Sequence, residues 1–339
     1  MNCRPDNRNR KQIFGFINTR ITLILLLCLM SIVISPMFLF SQDNFGLYAP
    51  PGSISLNSTY EWDSEEVLEV QIEHEGVAIP SWFLAIDKGQ ASTYTIRQAN
   101  QGANPDKIEY QVYDSSAHTF VIMDPVDGGA TADNVITSSD FGSIAGTTEI
   151  VSFYFYFSVA SGQFIPSGSY ADTLTLSLYT GTYDSYTFVE SVPVLVTVRM
   201  ARLMDVYMER EPGIRSLDLA SAGTNILLAT THERSNAADG YDVSITSENF
   251  ADNQTGHTQP YFLHETEPDS IEYTLAYGGV LVGSVYAWNS GSAKVTDSNT
   301  ITDSGTTWLD KELRITYGSG ANKPSGYYQD RLTITITAK

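Results

Sequence analysis

The chain has 339 residues, with 19 Lys and Arg against 39 Asp and Glu and a net charge of −20. That balance excludes the basic footprint of a nucleic-acid binder, and the length allows two domains of ordinary size. Cys3 and Cys28 are the only cysteines, and both fall in the first 41 residues, so the remainder has no disulfide to draw on.

In that first segment Arg4, Arg8, Arg10, Lys11 and Arg20 precede an apolar run from Ile21 to Phe40, which ends at Ser41-Gln42. A basic stretch, an apolar core and a small residue in that order make a secretory signal. The run is also long enough to span a bilayer as an uncleaved anchor. Residues 1–41 are therefore expected to be a signal peptide or an N-terminal anchor, and everything after them to be exported. Lipidation at Cys28 is not expected, because Leu25-Leu26-Leu27 puts no small residue before it and the following residues stay apolar. Without this segment the chain keeps 14 basic and 38 acidic residues, near −24, which confers solubility.

From residue 43 onward short alternating runs of Val, Ile, Thr, Tyr and Phe recur between turn residues: Val67–Ile72, Ile108–Tyr113, Val151–Val159, Tyr241–Thr246 and Leu313–Tyr317. Alternation of this kind puts one face in a core and the other in water, and many short strands argue for an all-β sandwich. One stretch occurs twice. Pro166-Ser167-Gly168-Ser169-Tyr170-Ala171-Asp172 leads into Leu174, Leu176 and Leu178, and Pro324-Ser325-Gly326-Tyr327-Tyr328-Gln329-Asp330 leads into Leu332, Ile334 and Ile336, a displacement of 158 residues. Ile108–Tyr113 likewise returns as Ile271–Tyr277, displaced by 163. The near-equal offsets describe one domain repeated, over 42–200 and 201–339. Within the motif Pro and Gly make a tight turn. The tyrosine is expected to bond backbone as a corner, while the Leu and Ile positions face a core.

These segments resemble the spore coat protein U-like domain, which is also the subunit domain of archaic chaperone–usher pili. The resemblance lies in the two P-S-G-x-Y-x-D-x-L-T stretches and the two tyrosine strands. In the second copy it also lies in Glu233-Arg234-Ser235-Asn236 followed by Gly240-Tyr241-Asp242-Val243-Ser244-Ile245-Thr246-Ser247-Glu248-Asn249. The Trp-Gly-Asp-Gly stretch and the cysteines that many members carry are missing. The resemblance implies two tandem immunoglobulin-like sandwiches and assembly by strand donation, in which a neighbour supplies a missing last strand. In the first copy a loop after Leu178 is expected to lead to a strand at Ser191–Val198, so that Val192, Val194, Val196 and Val198 complete the domain from within. In the second copy the strand Arg331–Ala338 is the last before Lys339. The implied acceptor groove is then lined by Leu332, Ile334, Ile336, Met204, Val206 and Met208. Four large donor side chains would contribute on the order of 6–12 kcal/mol, against a domain stability of about 5–15 kcal/mol. A self-complete first domain joined to an acceptor domain is the plan of a two-domain tip adhesin.

No nucleophile, P-loop or dinucleotide motif is present, and no enzyme, cofactor or metal site is expected. His257, His264, Glu265 and Glu267 are the nearest approach to a ligand cluster and fit solvated loops. Asp124–Gly129 fits a turn better than a calcium loop. The expected partners are a neighbouring pilus subunit and a periplasmic chaperone and usher through the second domain. A surface receptor or carbohydrate would bind the first domain, at loops such as Asn44–Tyr60 and Pro125–Phe141. Localisation would be the periplasm in transit, then the cell surface. The alternative is a free-standing binding module that recognises carbohydrate or protein, with Trp62, Trp82, Trp288 and Trp308 as candidate platforms. Packing in the core or at its rim is the plainer role for each.

Overall fold

The computed structural model describes residues 44–48, 52–103, 105–137, 141–142, 144–213, 216–298 and 308–339. The expected signal or anchor segment, with both cysteines, lies outside the described residues. Among the described residues, no helix is long and apolar enough to cross a membrane.

The protein is all-β, as two tandem β-sandwiches with curled, immunoglobulin-like sheets. The first contains β1 (Asn44–Leu47), β2 (Ile54–Ser58), β3 (Ser64–Gly76), β4 (Trp82–Ile86), β5 (Arg97–Asn100), β6 (Lys107–Tyr113), β7 (Ile136–Thr137), β8 (Ile144–Val159), β9 (Gly168–Thr182) and β10 (Ser185–Met200). The second contains β11 (Met204–Arg210), β12 (Gly223–Ser235), β13 (Tyr241–Ser247), β14 (Tyr261–His264), β15 (Ser270–Tyr277), β16 (Val280–Leu281), β17 (Ser292–Ser298), β18 (Leu309–Tyr317), β19 (Tyr328–Gln329) and β20 (Leu332–Ala338). A short helix, α1 (Glu248–Asp252), starts where the Ser247 hydroxyl accepts from the Phe250 amide.

The first sandwich follows the order β1-β3-β8-β6-β5-β9-β10-β2, with β4 beside β5 along the same edge of β9. The second repeats it as β11-β12-β18-β15-β14-β19, with β13 pairing β20 as β4 pairs β9. Register repeats as well. Asn100 faces Ala171 in the first sandwich, and Leu263 faces Gln329 in the second. Ile86 faces Leu176, and Ile245 faces Ile334. The order stops short in the second copy, because β10 and β2 have no counterpart there among the described residues.

The hairpin of β9 and β10 differs from the sequence expectation. No loop follows Leu178. β9 continues to Thr182 and turns at Tyr183-Asp184, where the Thr182 hydroxyl donates to Asp184 at 2.5 Å. The Thr-, Gly- and Ser-rich flanks look like a loop, yet cross-strand aromatic pairing of Phe188 with Tyr179 carries the ladder past them. Pro193 lies within β10 but outside the Val196–Met200 stretch that pairs β2. A residue without an amide hydrogen is tolerated there.

The first core gathers the inward rows of both layers. Arg97 is buried beneath the 114–135 segment and donates to the carbonyls of Ile86, Asp87 and Ile122 and to the Gln111 side chain. Burial lowers its pKa, and the carboxylates of Asp87 and Asp172 partly oppose that. A smaller outer core of Phe83, Ala85, Val135 and Tyr179 holds that segment on the sheet.

Candidate functional site

The repeated motif builds the same device twice. Tyr170 Oη donates to the Pro166 carbonyl at 2.7 Å and Tyr328 Oη to the Pro324 carbonyl at 3.0 Å. Burial pushes the Tyr170 phenol up to about 12. Asp172 accepts from Tyr110 Oη at 2.6 Å and from the Gln90 and Thr173 amides. Asp330 accepts from Tyr273 Oη, from Ser247 Oγ at 2.6 Å and from the Asn249 amide at 3.1 Å. Burial first, and the aspartate second, push both phenols well above their ordinary range. Even the turn glycines share a reason, since a Cβ on Gly168 would strike Gln101 and one on Gly326 would strike His264.

The two copies part beside this device. Leu174, Leu176 and Leu178 on β9 are 0 % exposed, as are Val194, Val196 and Val198 on the adjoining β10, while Val192 is half-buried. In the second sandwich Leu332, Ile334 and Ile336 share the side of the sheet occupied by buried Ser247, Ile245 and Val243, their register partners. They are only half-buried, because no strand pairs with the other edge of β20 among the described residues. Opposite stands β11, where Met204, Val206 and Met208 pair with Ser235, Glu233 and Thr231, all buried. Despite that inward side, Val206 is 36 % exposed and Met208 48 %. β11 and β20 approach one another without sharing a ladder. The six residues expected to line a groove thus lie on the two strands bordering one gap.

Residues 80–177, within the first sandwich, match the Spore Coat Protein U domain model. A comparison with curated proteins finds no match. Among solved structures, one similar chain comes from the chaperone–tip adhesion subunit pre-assembly complex of archaic chaperone–usher Csu pili of Acinetobacter baumannii, at 13 % identity and TM-score 0.37, covering 85 % of this chain and 99 % of that one. Another is the adhesive subunit of CFA/I fimbria of enterotoxigenic Escherichia coli, at 11 % identity and TM-score 0.36, covering 86 % and 94 %. A third is the CssB subunit complemented with a donor strand from the CssA subunit, from enterotoxigenic Escherichia coli colonization factor CS6, at 19 % identity and TM-score 0.26, covering 44 % and 95 %.

Behind the groove lies a feature the sequence reading missed. Glu233 is buried and accepts from Tyr241 Oη at 3.0 Å and from Tyr277 Oη, which also meets Thr231 Oγ1 at 2.6 Å. The alternation Thr231-His232-Glu233-Arg234-Ser235 was the available signal, since it puts an acid on the inward side. The next residues join the second sandwich to the first. Arg234 lies between the rings of Tyr60 and Trp308, 4.9 and 4.5 Å from their centres, and donates to Asp205 at 2.7 Å. Buried Asn236 accepts from the Leu203 amide at 2.6 Å and donates to the Ala201 carbonyl at 3.0 Å, while its own carbonyl accepts from the Ser167 amide at 2.8 Å.

The remaining candidates resolve individually. His257 stacks on Tyr261 and bonds Glu272, whereas His264 accepts from the Thr266 and Glu267 amides, so the two do not converge. Among the described residues no group of three His, Cys, Asp or Glu could hold a metal ion. Asp124 caps a short 3-10 turn at Pro125–Asp127. Trp82 is core, Trp288 and Trp308 are half-buried, and Trp62 is 71 % exposed. Trp62 therefore departs from the packing role.

Proposed function

We propose that the chain is an exported fimbrial subunit of the tip-adhesin type. Its second sandwich accepts a donor strand from a neighbouring subunit or, before assembly, from a periplasmic chaperone, while its first sandwich meets the receptor. One observation carries the reading. The strand order of the first sandwich recurs in the second, but where β10 covers β9 in the first, one edge of β20 is unpaired among the described residues of the second and its inward apolar residues remain half-exposed. An apolar side chain turned toward a core yet wetted by solvent is an unmet contact, and a bare strand edge beside it invites β-augmentation. The six groove residues match an alternating donor in chemistry and period. The match of residues 80–177 to the Spore Coat Protein U domain model supports the same reading.

The test is thermal unfolding of the exported chain with and without an alternating apolar segment fused after Lys339. Donor burial worth on the order of 6 kcal/mol should raise the melting of the second sandwich by more than about 15 °C and leave the first unchanged. A second sandwich indifferent to the added strand would point instead to a free-standing binding module.

A further inference from the structure

The outer face of the first sandwich carries a cleft of about 480 Å³ between the β9–β10 hairpin and the turn at residues 124–129. One end is aromatic. Tyr179 packs edge-on against Tyr186 at 5.0 Å and against Phe188 at 5.9 Å, and Phe188 remains 56 % exposed. The floor is polar, made by Thr175 and Ser177 on β9. The far wall holds Asp87, Asp124 and Asp127 with Lys88.

These polar groups are fixed before any ligand arrives. Asp127 accepts from Tyr94 Oη at 2.7 Å and pairs with Lys88 Nζ at 3.1 Å. Asp124 accepts from Tyr179 Oη at 3.0 Å on both oxygens. Asp87 Oδ1 accepts from the Gly89 and Thr175 amides at 3.1 and 2.9 Å. Tyr94 is itself held under the buried Arg97 guanidinium, 5.1 Å from its ring centre. A carboxylate offers about four lone-pair sites, so each aspartate is held in place by these bonds and keeps acceptor capacity.

We propose that this cleft binds a neutral pyranose residue of a glycan. The volume lies within the roughly 300–1,000 Å³ of small-ligand sites. An exposed ring offers a negative face to the polarised C–H groups on one side of a sugar ring. Fixed acceptors beside one ammonium donor and two hydroxyls match a ligand whose every hydroxyl both donates and accepts. Three acidic side chains against one basic one repel sialylated or sulfated sugars. This assignment rests on the reading of the first sandwich as the receptor-binding part.

The test uses the full exported chain in saturation-transfer NMR with the methyl glycosides of galactose, mannose and N-acetylglucosamine, and with N-acetylneuraminic acid as the anionic control. At least one neutral glycoside should receive saturation, the acid none. The signal should fall about fivefold or more in Phe188→Ala and Tyr186→Ala, the loss of one ring contact, and persist in Phe188→Trp. Both positions are exposed, and circular dichroism checks that the variants fold. The proposal is overturned if no neutral glycoside is bound, if the acid is preferred, or if Phe188→Ala binds like the parent chain. Adherence to a mucin-coated surface separates this inference from the wider reading. Adherence that survives periodate and Phe188→Ala keeps the receptor role and discards the glycan cleft. A parent chain that fails to adhere, yet gives the glycoside signals above, keeps the cleft and counts against the adhesin.

Discussion

β9 and β20 carry nearly the same instruction and meet different fates. Leu174, Leu176 and Leu178 are core, whereas Leu332, Ile334 and Ile336, at equivalent places and flanked on one side by the equivalent strand, are half-exposed. The apolar row therefore does not decide its own burial; the strand on its other edge does. In the first sandwich that strand is β10, held in turn by β2. In the second, the same place borders Val206 and Met208 across a gap.

The sharpest way to break this comparison is to truncate equivalent residues. Leu176→Ala should cost about 2–5 kcal/mol in urea unfolding. Ile334→Ala should cost about 1 kcal/mol or less in the open chain and rise toward the Leu176 value once a donor segment is fused. Equal costs in the open chain would mean that β20 is already covered in solution. Next come the tyrosine–aspartate pairs, which lie beside the corner rather than at the open edge. Tyr110→Phe and Tyr273→Phe should each cost about 1.5–3 kcal/mol, alike in both sandwiches, because each removes a donor to a carboxylate. A large difference would show that the opening loosens the second sandwich as far as its corner.

A smaller effect should appear with pH. The folded phenols hold their protons above the ordinary value of about 10, so their contribution is intact below that pH and declines as unfolded tyrosines ionise above it. For Tyr170, pushed up to about 12, the loss is complete once pH passes that value. Alkaline titration followed by tyrosinate absorbance should show these phenols ionising only as the fold is lost. Trp62→Ala should change stability by no more than about 0.5 kcal/mol, since the side chain is largely in water.

The tyrosine corner was legible because its parts are four residues apart, and the inward rows because alternation fixes their sides. Pairs such as Tyr110 with Asp172, 62 residues apart, left no local trace beyond their repetition. Glu233 was hidden by its charge, which reads as solvent-facing until its place in the alternation is counted. The tight β9–β10 turn was masked by Thr, Gly and Ser that serve equally well in strands and loops. The aromatic cleft draws Tyr179, Tyr186 and Asp124 from separate stretches, so only the folded sheet assembles it.

β10 ends at Met200 and β11 begins at Met204, so the covalent path of a pull on the second sandwich enters the first through residues 201–203 and β10, beside the Ser167–Asn236 hydrogen bond and the Arg234–Tyr60 contact. That strand is laddered to β9 over nearly its whole length and to β2 at its loaded end. A load drawn along β10 would meet those backbone hydrogen bonds in shear, and they would have to fail together instead of unzipping in turn. The strand that closes the first sandwich would then also be the one that carries its load.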